Sequence, residues 1–170
     1  MIVKFRRMEA GDRELFRSFL RGLPSKDNYY LLFDVQDDHA IDLWMEKLQS
    51  GEVVGFVATE RGDMIGYCNL ITNTLAWTRH VGEIRISVSA AYRSRGIGKA
   101  LAAQTFSIAR AQGLQKLWVR MAISQDASQH LFKSLGFRTE ALLSDFVKNE
   151  NGLSEALLIM TYDSGEHWCF

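Results

Sequence analysis

The clearest chemistry in this sequence sits in seven consecutive residues, Arg93-Ser94-Arg95-Gly96-Ile97-Gly98-Lys99. Glycines at 96 and 98 let the backbone approach a ligand closely. A helix starting there offers unpaired N–H groups at the positive end of its dipole. Arg93, Arg95 and Lys99 bring cationic side chains to the same place, so the stretch reads as a cradle for a phosphate or pyrophosphate. Two common nucleotide loops do not fit. A dinucleotide fingerprint needs a third glycine where Leu101 stands, and an acidic residue about twenty positions further on that is missing. A magnesium-nucleotide loop needs a hydroxyl after Lys99, where Ala100 offers none.

Just upstream, Val81 to Val88 alternates with period two: Gly82, Ile84, Ile86 and Val88 face one way, Glu83, Arg85 and Ser87 the other. This strand carries ionisable side chains on a definite face. His80, in Trp77-Thr78-Arg79-His80, precedes it and brings an imidazole, a side chain suited to general acid–base work.

These groups must be held by an α/β scaffold. Residues 2 to 6 read as a strand, and Asp12 caps a helix bearing Leu15, Phe16, Phe19, Leu20 and Leu23, ended by Pro24. Ile41, Trp44, Met45 and Leu48 mark a second helix before Gly51. Val53 to Thr59 and Met64 to Thr72 form a hairpin about Arg61-Gly62-Asp63. After the strand to Val88 and the glycine loop, a helix runs to about Gln112, with Ile97, Leu101, Ala102, Phe106, Ile108 and Ala109 as its apolar stripe. Leu117 to Met121 reads as a buried strand. Ser124 or Asp126 caps a helix with Ala127, Leu131 and Leu135, closed by Gly136. Strands over about 137 to 148 and 153 to 162 flank the turn Asn151-Gly152. The expected order is β-α-α-β-β-β-α-β-α-β-β.

Composition limits what this scaffold does. With 170 residues, 47% of them hydrophobic, one domain over 1–170 can bury roughly 70% of its unfolded surface without metal or disulfide. Twenty basic residues balance 20 acidic ones, which argues against a dedicated nucleic-acid binder. Cys68 and Cys169 form no metal-binding or disulfide pattern, so no metal is expected and the cytoplasm is the default compartment. No apolar run is long enough for a membrane span, and the N-terminus lacks a secretory layout.

The loop Arg93-Ser94-Arg95-Gly96-Ile97-Gly98 resembles the Q/R-x-x-G-x-G/A signature of the GNAT superfamily, the GCN5-related N-acetyltransferases. His130-Leu131-Phe132-Lys133-Ser134-Leu135-Gly136-Phe137 is similar to that family's second motif, which ends L-Y-x-x-x-G-F. The resemblance implies a mixed, mostly antiparallel sheet of about seven strands flanked by about four helices, with a splayed parallel strand pair at the cofactor cleft. It also implies acetyl-CoA as co-substrate. The loop amides would hold the pyrophosphate and pantetheine would pair with the backbone of Ile86, Ser87 and Val88.

On the same resemblance, Glu83 is the first candidate for general base and His80 the second. Arg85, on the same face, could pair with Glu83. Where many relatives carry a tyrosine that protonates the leaving sulfur, this chain has Phe132, which has no proton to give. Ser128, four residues earlier, shares its helix face and could serve instead, as could water. Gln125 stands where relatives often carry an asparagine that contacts the cofactor. The acceptor site would be lined by Lys26 to Gln36, Trp77 to His80 and the hairpin at Asn149 to Gly152. Tyr29, Tyr30, Phe33 and Trp77 would form its wall, and Asp34, Asp37 and Asp38 would be available to an amine.

The activity expected is acetyl transfer to a primary amine, on a small molecule or a protein. The alternative, raised by Phe132, is a CoA-binding sensor that has lost the chemistry. Exposed hairpin edges in this fold would permit a homodimer.

Overall fold

Side-chain alternation sets up two cores, one on each face of a sheet. The computed structural model describes residues 2–164, so Cys169 lies outside the described residues. The strands are β1 (Lys4–Arg7), β2 (Val53–Glu60), β3 (Asp63–Ile71), β4 (Val81–Val88), β5 (Lys116–Ala122), β6 (Arg138–Lys148) and β7 (Ser154–Asp163). They form one sheet of order β1-β2-β3-β4-β5-β7-β6, antiparallel except for the β4–β5 pair.

The helices are α1 (Arg13–Arg21), α2 (Ser25–Asn28), α3 (Asp38–Ser50), α4 (Ile97–Ala111) and α5 (Asp126–Ser134). In β2, Val54 and Phe56 pack with α4, whereas Val53 and Val57 pack with α1 and α3. Ile84, Leu101, Phe106, Leu117 and Phe132 fill the first core; Phe16, Leu20, Ile41, Trp44 and Tyr67 fill the second.

The sheet, the parallel pair and the element order agree with the expectation, with one addition. Pro24, read as a helix stop, also stands at the head of the one-turn α2. Proline suits a helix start because its missing N–H would find no intrahelical partner there. Two caps differ. The Asp12 carboxylate accepts from Glu9 N–H and pairs with Arg6 instead of capping α1. At the start of α5 the cap position belongs to Gln125, while Ser124 Oγ donates to Glu155.

Gly82 is required for a spatial reason. A Cβ there would lie 2.7 Å from Leu70 Cδ1 and 2.8 Å from Leu114 Cδ1. Gly82→Ala therefore overpacks the core beneath the parallel pair, and chemical denaturation should show a loss of about 1–3 kcal/mol.

Candidate active site

The parallel pair is short. β4 and β5 are in register only from Val81 to Glu83 against Lys116 to Trp118. Beyond that point β4 stays with β3 as far as Val88, and β5 stays with β7 as far as Ala122. The sheet thus opens into a V. Ser89 N–H donates to Ile65 C=O, so by alternation the backbone groups of Ile84, Ile86 and Val88 point into the gap. Arg93 Nε takes the Val88 carbonyl at 3.0 Å. On the opposite lip, Ala122 N–H donates to Gln125 Oε1 at 2.9 Å. The gap is the floor of a cleft of about 1160 Å³, ample for a cofactor-sized ligand.

The glycine loop closes the wide end of the V. Ser94 and Gly96 both adopt left-handed backbone, at φ 61° and 79°, before α4 begins at Ile97. A Cβ on Gly96 would meet nothing within 4 Å, so that glycine answers to conformation. Gly98 answers to space: its Cβ would lie 3.1 Å from Leu131 Cδ2 on α5. Ser94, Gly96, Ile97, Gly98 and Lys99 line the cleft. Arg93 lines it too, with its guanidinium paired to Asp27 of α2 at 2.6 Å. Arg95 does not: its guanidinium lies over the Tyr92 ring, 5.4 Å from the centroid.

At the apex of the V, Glu83 is 9% exposed and both neighbouring cations reach one of its oxygens. Arg85 Nη2 lies 2.7 Å and Arg120 Nε 3.1 Å from Oε1. Burial lowers the pKa of the Arg85 guanidinium, and the Glu83 carboxylate opposes that shift. Tyr67 of β3 stands on the same face, and burial holds its phenol well above the usual range. Arg85, Arg120 and Tyr67 line the cleft; Glu83 lies behind them.

Comparison with known proteins agrees with this geometry. A model of the acetyltransferase (GNAT) family matches residues 13–137. The chain belongs to the GNAT acetyltransferase family. Comparison with curated proteins gives no match. Among solved structures, an N-acetyltransferase from Staphylococcus aureus Mu50 superposes with a TM-score of 0.84 at 19% identity, covering 96% of this chain and 99% of that one. The Salmonella typhimurium protein yncA, solved with its cofactor acetyl-CoA, gives 0.78 at 20% identity over 98% and 96% of the two chains. A ribosomal-protein-alanine N-acetyltransferase from Brucella melitensis gives 0.77 at 22%, covering 94% and 99%. At these identities the likeness is one of fold.

Within this GNAT cleft several expected residues meet. Ile86, Ser87, Val88, Gln125, Ser128 and Phe132 line it beside the loop, and Tyr30 and Phe33 line it from the connection before α3. Phe132 is 1% exposed and sets its ring edge-on to Phe137, with centroids 5.1 Å apart. The hairpin residues Asn149 and Asn151 also reach the wall.

Others fall elsewhere. Trp77 is 78% exposed, His80 is exposed, and neither borders the cleft, because the turn before β4 carries both out to solvent. Tyr29 borders a separate hollow of about 490 Å³. The acidic run serves the fold: Asp34 accepts from Gln36 N–H, Asp37 caps α3 through His39 N–H, and Asp38 pairs with Arg17 and Arg21.

Arg120 and Tyr67 were not singled out from sequence. The available signal was period two in Leu117 to Met121, which sets Trp118 and Arg120 opposite the apolar residues.

The residues present fit acetyl-CoA. An open left-handed glycine turn leads into a helix start at one end, and strand backbone points into the gap along its length.

Proposed function

We propose that this GNAT protein is an N-acetyltransferase that brings acetyl-CoA and a primary amine together in one complex for direct transfer. One observation carries the reading: an unbroken cleft runs from the glycine turn, along the open edge of β4, to a charged apex walled by Tyr30, Phe33 and Tyr67. When bound, acetyl-CoA supplies the acetyl group as a thioester, which an amine can attack with loss of the thiolate.

The chain's own residues divide the remaining work. The amides at Ile97 and Gly98, with Lys99, hold pyrophosphate at the start of α4. Ile86 and Val88 N–H orient the pantetheine arm, and Gln125 braces the far lip through Ala122. Arg85 and Arg120 keep the apex cationic, which favours the uncharged, nucleophilic form of an amine beside them. Glu83, set behind them, positions both guanidiniums. The proton from nitrogen passes to water in the cleft. Phe132 donates no proton, so Ser128 or water meets the leaving thiolate.

The absence of a phenol at 132 favours a second reading, a CoA-binding module without turnover. Two measurements separate the two. Acetyl-CoA at 100 times its dissociation constant should stabilise the fold by about 2.7 kcal/mol; no shift at millimolar acetyl-CoA would sink both readings. Thiol release across a panel of amines then supports transfer, and saturable binding without release on any of them supports the module.

A further inference from the structure

Two guanidiniums at the apex share a single carboxylate oxygen, Glu83 Oε1, so the trio carries one net positive charge. The surplus faces the cleft, because Arg85 and Arg120 line it and Glu83 does not. Arg85 retains hydrogen-bonding capacity, since its Nε is buried without a partner. Arg120 is 40% exposed in its side chain, stacks on Trp118, and pairs with no acid other than Glu83 among the described residues.

Of the other acids on the wall, Asp27 and Glu155 are engaged. Asp27 holds Arg93. Glu155 accepts from Ser124 and Asn149. Asp126 opens α5 and Glu150 stands in the β6–β7 turn. On the face of the sheet that carries Arg85 and Tyr67, Tyr67, Trp44, Leu31 and Phe33 belong to one apolar cluster, and Tyr30 and Lys26 also line the cleft.

We infer that Arg85 and Arg120 form a carboxylate site and that the acceptor is a free α-amino acid with an apolar side chain. Its carboxylate lies on the guanidiniums, its side chain against the aromatic wall and its amine toward the thioester. This rests on the transferase reading and names the acceptor for it. Planar guanidinium forks match a carboxylate in geometry and charge. A polyamine or a lysine side chain would instead add positive charge where it is already in excess. In the transfer, the amine nitrogen bonds to the acetyl carbon, the carbon–sulfur bond breaks with its electron pair leaving on sulfur, and the nitrogen's proton goes to water.

The test uses the full chain saturated with acetyl-CoA, a panel of free L-amino acids that includes leucine and phenylalanine, their carboxamides, and spermidine. The best free acid should exceed its carboxamide in kcat/KM by roughly tenfold or more, the discrimination expected of a charge-assisted pair. Arg120→Gln should bring that ratio towards one by raising KM for the acid, and Arg120→Lys should restore part of it. Calorimetric titration of acid and carboxamide into the CoA-bound protein gives a readout that does not need turnover. Carboxamides or spermidine turned over as well as the acids would overturn the inference and leave the transferase reading standing. Preferential binding of the acids without acetylation of any amine would overturn the transferase reading, and the acceptor role with it, and leave only the carboxylate site at Arg85 and Arg120 standing. Acids that neither bind nor react would also overturn it.

Discussion

Gly96→Val is expected to weaken acetyl-CoA binding by at least about 10²-fold while leaving the fold in place. Gly96 sits at φ 79°, where a side-chain-bearing residue is strained by roughly 1–2 kcal/mol and a β-branched one by more. Nothing lies within 4 Å of its would-be Cβ, so the strain is not absorbed by repacking. It is relieved by turning the peptide, which redirects the amides at the head of α4. A hundredfold loss corresponds to about 2.7 kcal/mol.

Gly98→Ala is the matched control. Its obstacle is the tip of Leu131, 3.1 Å away, which can swing aside, so it should lose less affinity than the valine at 96. Calorimetric titration of acetyl-CoA into both variants reads the difference. Equal losses would show that the left-handed turn is not what makes the cradle.

The second large effect is expected in stability. Glu83→Gln keeps the shape of the side chain but removes the one charge that Arg85 and Arg120 share. Removing one partner of a buried ion pair costs about 3–5 kcal/mol. Arg120 is partly solvated, so the lower end applies. For a chain of this size, about 3 kcal/mol lowers Tm by roughly 6–12 °C. Adding Arg120→Gln to Glu83→Gln should recover much of the loss, because one cation then no longer faces another. A drop below about 1 kcal/mol would mark the trio as an ordinary surface pair and sink the positioning role. The same variant tests the chemistry. A general base at 83 would cost roughly 10² in kcat and remove the acidic limb of the pH profile, whereas a positioning residue leaves the shape of that profile unchanged.

What was legible in the sequence was what local periodicity and backbone conformation write down. Strand β4 can be read residue by residue because it is half-buried and alternates cleanly, which puts Glu83 and Arg85 on one face from periodicity alone. Gly96 and Gly98 announced the turn because few other residues could make it. Arg120 could not be found in this way. Its meeting with Glu83, 37 positions away, depends on β4 and β5 lying parallel and then separating, a relation between distant segments. His80 and Trp77 lie off the cleft for the opposite reason. Their side chains suggest chemistry, but a turn of five residues before β4 points them at solvent, and residue type alone carries no direction. Arg95 counted towards the phosphate charge by its place in the loop, yet its guanidinium rests on Tyr92.

The two faces of the sheet meet where β4 and β5 part. The glycine turn, α4 and α5 line the cleft over one core, and the connection before α3 lines it over the other. If the acceptor lies as proposed, substitutions at Tyr30, Leu31 or Phe33 change its wall while leaving the residues of α4 and α5 in place. The splay works as a junction between a half built on the glycine turn and a half built on the connection before α3, and the two are tied directly where Asp27 pairs with Arg93, so a change in the connection that displaced Asp27 would be felt at the loop.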